Sequence, residues 1–161
     1  MSMRSTNLVI SLLGAEQLGP LNACYDGWMA FGGSCYLFAH NPATFTEAEH
    51  YCRQHHNSHL VHVNTDLENR FIRDRLRDLK SKDWWVGLTD EDIEGVWKWY
   101  GTDTTAKFTD WNPGQPDPSE EDCATFHAGF DFRWADLPCT NHYTPICEMQ
   151  AISTCETDIV G

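Results

Sequence analysis

Apolar residues recur at helical spacing in two stretches of this chain, and each stretch opens on a Thr-x-x-Glu box. In Thr44-Phe45-Thr46-Glu47 the hydroxyl and the carboxylate can satisfy the first free amides of a helix reciprocally, and Phe45, Ala48 and Cys52 then share one face. The second box, Thr65 to Glu68, leads into Leu67, Phe71, Ile72, Leu76 and Leu79, read as the core-facing side of a second helix. Its other side carries Arg70, Arg73, Asp74, Arg75 and Arg77 and reads as a solvated face. Between the two, Leu60-Val61-His62-Val63 predicts a strand, and upstream, residues 24–36 alternate aromatics with glycine as a hairpin does.

After Lys82 the pattern changes. From 83 to 122, tryptophan, glycine, proline and carboxylates dominate without sustained periodicity, a run of about 40 residues that exceeds any ordinary connection. Trp84, Trp85, Trp97, Trp99 and Trp111 each bring a large apolar area to bury, which argues for an ordered functional loop. Short strands are expected at 123–127 and 132–136, and a final one ends near Cys147. With no internal repeat, 161 residues suit one domain and exclude a full (β/α)₈ barrel or a two-domain dehydrogenase.

Charge narrows the function. Against 11 basic residues stand 24 acidic ones, a net charge of −13, which repels phosphate backbones and excludes nucleic acid as a partner. Oxygen-rich surfaces suit hard cations such as calcium. No apolar stretch approaches the ~18 residues that mark a membrane span.

Seven cysteines, at 24, 35, 52, 123, 139, 147 and 155, are spread along the chain with no Cys-x-x-Cys pair. That spacing favours a disulfide framework in an oxidising compartment over a zinc ribbon or a redox site, with the internal connectivity open. The odd one is Cys155, isolated in a polar tail at 150–161 and available to link two chains into a homodimer. Arg4 followed by Leu8-Val9-Ile10-Ser11-Leu12-Leu13-Gly14-Ala15 has the order of a secretory leader, so residues 1–23 read as one; a non-native or disordered extension has the same composition.

Carboxylates gather in the long loop and just beyond it: Asp90 and Glu94, Asp117 beside Gln115, Glu121 and Asp122, and Asp136 before Cys139. Any one pair alone reads as solvated loop acids. Together they would repel one another unless a cation dispersed the charge, and calcium takes six to eight oxygens from such groups.

Trp85-Val86-Gly87-Leu88 looks like the W-I-G-L signature of the C-type lectin domain. Gly95-Val96-Trp97-Lys98-Trp99, Trp111-Asn112-Pro113-Gly114-Gln115-Pro116-Asp117 and Ile146-Cys147-Glu148 follow in family order, so the likeness spans 24–148. Within the family, Ile93-Glu94-Gly95 and Pro-Gly-Gln-Pro-Asp most resemble mollusc perlucin-like lectins. The resemblance implies an α+β fold at 24–149, two helices flanking small antiparallel sheets with a long loop at one end. It also implies disulfides Cys24–Cys35, Cys52–Cys147 and Cys123–Cys139. A principal calcium ion would take Gln115, Asp117, Glu121 and Asp136, which also bind the sugar, and an auxiliary ion Asp90, Glu94, Glu121 and Asp122.

Sugar hydroxyls on calcium each need a further hydrogen-bond partner; an amide donates and a carboxylate only accepts, so their order sets the polarity around the ion. Glutamine before aspartate resembles the galactose type, Glu-Pro-Asn the mannose type, with Pro116 cis in either. Two departures stand out. Sugar-binding members have Trp-Asn-Asp where this chain has Trp134-Ala135-Asp136, losing one amide; Asp131 and His127 are candidates to fill the gap. Pro118 and Ser119 follow Gln-Pro-Asp where an aromatic platform is usual, leaving Phe130, Phe132 or Trp134 for stacking, each of which also reads as core.

The run His55, His56, His59 and His62 suggests zinc, but it crosses from helix to strand, which would splay the rings. Trp97 and Trp99 alternate as core residues of a strand do. With no nucleophile elbow, phosphate loop or His-Glu-x-x-His motif, the chain is not expected to be an enzyme. The leading expectation is a secreted, calcium-dependent lectin for galactose or N-acetylgalactosamine on cell or microbial surfaces, a role suited to innate defence. Its alternative is a lectin-like protein with a degenerate sugar site that binds protein or mineral, or acetamido sugars without calcium.

Overall fold

A computed structural model describes residues 21–80 and 82–154; most of the stretch read as a leader, and Cys155, lie outside them. The chain runs β1 (Leu21–Ala23), β2 (Met29–Phe31), β3 (Ser34–Phe38), α1 (Phe45–Gln54), β4 (His59–Leu60), α2 (Asp66–Leu79), β5 (Trp84–Thr89), β6 (Lys98–Trp99), β7 (Cys123–His127), β8 (Arg133–Leu137), β9 (Thr144–Gln150) and β10 (Ile152–Thr154). The main sheet has the order β2-β3-β9-β5-β7-β8, with β4 paired to β9 and β6 to β5. All of its pairs are antiparallel except β5 with β9, so the sheet is mixed. Residues 21–23, inside the stretch read as leader, pair with β10 and bring the two ends of the fold together.

Both helices start where the boxes place them, with one difference. At α1 the box is reciprocal: the Glu47 amide donates to Thr44 Oγ1 at 3.3 Å and the Thr44 amide to Glu47 Oε2 at 3.0 Å. At α2 the Glu68 amide donates to Thr65 Oγ1, but the Glu68 carboxylate is taken elsewhere, by the Asn64 amide at 2.8 Å and the Tyr36 hydroxyl at 2.7 Å. That second bond ties α2 to β3.

The helix-face reading of α2 needs correction. Its buried stripe runs through Asn69, Ile72 and Leu76, whereas Leu67 is 67% exposed and Leu79 38% exposed. Leu67 precedes Ile72 by five residues, which at 3.6 per turn turns it to the opposite side. Nor is the arginine face wholly solvated. Arg73, half-buried, reaches Asp110 at 3.3 Å and the Asp131 carbonyl at 2.8 Å, binding α2 to the long loop and to the β7–β8 hairpin.

Between 83 and 122 lies not loop alone but the central strand β5, every residue of it buried. Its run Trp-Trp-Val-Gly-Leu-Thr is continuous rather than alternating because strands pair on both sides, while Trp84, Val86 and Leu88 pack with α2 and Trp85 packs with α1. The expected strand at 60–63 shortens to His59–Leu60, although Val61 and Val63 are fully buried. Two apolar clusters meet at β5. One is built on Ile72, Leu76, Trp84, Trp99, Phe126 and Trp134, the other on Phe45, Cys52, Trp85 and Cys147. The disulfides are Cys24–Cys35, Cys52–Cys147 and Cys123–Cys139, as the resemblance implies, the second closing a span of 95 residues. A cross-link over so long a span restricts the unfolded chain by several kcal/mol, about 4–5.

Candidate functional site

β5 delivers Asp90 at its end, facing the start of β7, where the Asp90 amide donates to the Asp122 carbonyl at 3.2 Å. The turn after Asp90 closes through Gly95, whose φ of +79° needs glycine and whose amide donates to Asp90 Oδ2 at 2.9 Å. Here carboxylate oxygens of Asp90, Glu94 and Asp122 lie within 4.8 Å of one another. Asp90 is 4% exposed, and its Oδ1 is buried with no hydrogen-bond partner. Burial, then the Asp122 charge, pushes the Asp90 carboxyl up; the Asp90 charge, above all, does the same to Glu94.

β8 delivers Asp136 beside this group. Its Oδ1 accepts the Asp117 amide at 2.8 Å, while its own amide donates to Gln115 Oε1 at 3.3 Å. Gln115–Pro116 is cis, as the resemblance implies. Asp136 Oδ2 is the second buried carboxylate oxygen without a partner, and burial, then the charges of Glu121 and Asp117, raises this carboxyl above its ordinary range. Gln115, Asp117 and Asp136 are therefore brought together. Glu121 acts on Asp136 through its charge and is not among the three carboxylates gathered at Asp90.

Two buried oxygens with no donor, each amid like charges, are costly in a bare protein and are what a hard cation satisfies. The donor set fits calcium. A second grouping, Glu91 with Cys123 and Cys139, offers no thiolate, since both sulfurs are in a disulfide.

The loop is held from beneath by a network that the sequence reading missed. The Trp134 amide donates to the Asp110 carbonyl at 2.8 Å, and the Asn112 amide to the Trp134 carbonyl at 2.9 Å. Below them Asn69 donates to Asp110 Oδ2 at 2.7 Å and accepts from Trp134 Nε1 at 3.1 Å. The available signal was an asparagine on the buried stripe of an amphipathic helix.

Other candidates fall elsewhere. Ala135 is buried, and both residues suggested for its gap are engaged otherwise: Asp131 is bound by Arg77 at 2.8 Å and His127 by Asp83 at 3.1 Å, toward the closed end of the β7–β8 hairpin. Trp134 and Phe132 are buried in the core, and Phe130 packs on His127, so none of the three is a stacking platform beside Gln115. Trp97 and Trp99 are buried, as expected. The histidine run divides: His56 stacks on Tyr25 and His55 bonds the Tyr51 carbonyl, whereas the His59 and His62 rings meet with centroids 4.1 Å apart, His62 also stacking on Trp99. Among the described residues they form no three-ligand group.

Comparison with known proteins bears on the family and the fold. The family model "Lectin C-type domain" matches residues 41–149. Human "C-type lectin domain family 10 member A" is 41% identical over 78% of this chain and 40% of its own length. Rat "Asialoglycoprotein receptor 1" is 39% identical over 79% of this chain and 45% of its own, so the chain spans less than half of either relative. The solved mouse scavenger receptor C-type lectin carbohydrate-recognition domain superposes with a TM-score of 0.73 at 30% identity, over 80% of this chain and 98% of that one. Fold, disulfides, family model and relatives agree: the chain belongs to the C-type lectin domain family, a family of binding domains rather than enzymes.

Proposed function

We propose that this chain is a secreted, calcium-dependent lectin for glycans ending in galactose or N-acetylgalactosamine. The observation that carries the reading is the pair of buried, partnerless oxygens, Asp90 Oδ1 and Asp136 Oδ2. Gln115, Asp117, Glu121 and Asp136 would hold the principal ion, and Asp90, Glu94, Glu121 and Asp122 the auxiliary one. Calcium, when bound, supplies a hard charge to which two neighbouring sugar hydroxyls add as oxygen ligands. The protein's own part is polarity: the Gln115 amide donates and the Asp117 carboxylate accepts, the order that resembles galactose-type sites. The name of the rat relative, an asialoglycoprotein receptor, supports a glycan ligand. A leader ahead of the domain and a disulfide between the Cys155 residues of two chains complete the proposal.

Retention on galactose resin and elution by a chelator is the deciding experiment; mannose should compete poorly. Ala135, which leaves the principal site one amide short, favours a second reading in which only the auxiliary ion binds and the partner is protein or mineral. In that case millimolar calcium would raise the melting temperature, Glu94→Gln would blunt the rise, and the resin would retain nothing. Calcium at 100 times its Kd adds about 2.7 kcal/mol to the native state.

A further inference from the structure

At the end of the domain opposite the carboxylate loop, α2 and the ends of β3, β5 and β9 meet around a cavity of about 240 Å³. Phe38, His40, Arg75, Leu79, Trp84 and Thr144 line it. Trp84 begins β5 and Thr89 ends it, so at a rise of about 3.3 Å per residue the cavity lies roughly 17 Å or more from Asp90. Phe38 meets Trp84 edge-on with ring centroids 5.9 Å apart, and the partly exposed Leu79 completes an apolar wall.

Arg75 sets this cavity apart. Among the described residues Arg53, Arg70, Arg73, Arg77 and Arg133 each pair with a carboxylate. Arg75 forms no such pair among them, and its Nε is buried with no hydrogen-bond acceptor. With 24 acidic residues against 11 basic ones, carboxylates are not scarce in this chain, yet among the described residues none pairs with Arg75. A guanidinium nitrogen withdrawn from water with its bond unmade is destabilising until an acceptor arrives. Its planar fork matches a carboxylate, and the Thr144 hydroxyl and the exposed His40 ring add donors at the margin. The volume falls below that of common drug-sized sites, which limits the occupant to a small molecule.

We propose that this cavity is a second ligand site, independent of calcium, for a small organic carboxylate with an apolar body. The carboxylate sits on Arg75, and the aryl or short acyl part lies against Phe38, Leu79 and Trp84. The test uses 3-phenylpropionate and its neutral analogue 3-phenylpropanol on the full chain, with affinity read by calorimetry and location by the Trp84 indole N–H resonance. The acid should bind saturably and move that resonance, with and without chelator, and the alcohol should bind at least roughly tenfold more weakly. Arg75→Gln should bring the acid down to the level of the alcohol while leaving the melting temperature in place. Should that variant not fold, Leu79→Glu decides, since Leu79 is 38% exposed and a carboxylate there would occupy Arg75 and abolish binding. Absence of saturable binding, equal affinity for acid and alcohol, undiminished binding in both variants, or loss of binding on chelation would each overturn the proposal.

Discussion

Gly87 sits in the middle of β5 against a neighbour that leaves no room for a side chain. A Cβ there would lie 2.6 Å from the Leu60 carbonyl oxygen, and both backbones are fixed, since the Gly87 amide donates to the Val61 carbonyl and its own carbonyl accepts the Tyr100 amide. Gly87→Ala should therefore destabilise by about 1–3 kcal/mol, read as a lower urea midpoint with an unchanged slope. At Ala135 the same scale of change should work in the other direction. If Gln115 and Asp117 bind sugar through calcium, Ala135→Asn returns one oxygen ligand and one donor and should tighten calcium and galactose by about tenfold, the size of one charge-assisted contact. Unchanged titrations of both would place recognition away from this strand.

At the scale of elements, Asn69 holds the site from below. It is 1% exposed on α2 and bridges the Trp134 indole of β8 to Asp110 at the base of the long loop. Asn69→Ala strands a buried indole N–H and removes a donor from Asp110, and should cost about 1–3 kcal/mol in urea unfolding and weaken calcium binding as the loop loosens from Asp136. Arg70→Ala is the control on the same helix: its pair with Asp66 is more than half exposed, and its loss should stay within about 0.5 kcal/mol with calcium affinity intact. Asn69 also marks the limit of what the chain spells out. Helix starts were legible, because Thr44 and Thr65 cap through side chains next to them in sequence. Asp90, Glu94, Gln115, Asp117 and Asp136 were picked out by their place in a family pattern, and the structure brings Asp90 to Glu94 and both Gln115 and Asp117 to Asp136. The central strand was not legible, since β5 is apolar on both faces and has no period to detect. Leu67 was read as core from its apolar side chain, and Asn69 was not read at all, because an apolar and a polar residue take each other's usual sides of α2. Asp110, 41 residues from Asn69, joins it only through tertiary packing.

Across the whole molecule, a buried carboxylate and a neighbouring half-buried ring give opposite responses to pH. Glu148 on β9 accepts the Ser34 hydroxyl at 3.0 Å and the His62 amide at 2.9 Å, tying β9 to β3 and to the segment after β4. Burial, reinforced by the charge of Glu68, outweighs those bonds and pushes its carboxyl from an ordinary 4.5 up to about 7. The folded state thus holds this proton more tightly than the unfolded chain does. Its contribution to stability is complete below pH 4.5 and is lost as pH rises through about 7. His62 behaves inversely: burial, then the neighbouring His59 charge, lowers its ring from 6.5 to about 3, so its contribution grows with pH across that window. Between 4.5 and 6.5 the two oppose, which flattens the profile of the native protein and hides both. Glu148→Gln separates them, because glutamine keeps an oxygen for one of the two donors and has no proton to lose. Under saturating calcium, so that the loop carboxylates contribute equally, the stability of the native protein relative to Glu148→Gln should fall from pH 4.5 to about 7, by at most about 1.4 kcal/mol per pH unit for one proton. Urea unfolding at half-unit steps measures it. A flat difference would show Glu148 titrating alike in both states, and a rising one would show that the bonds from Ser34 and His62 outweigh its burial.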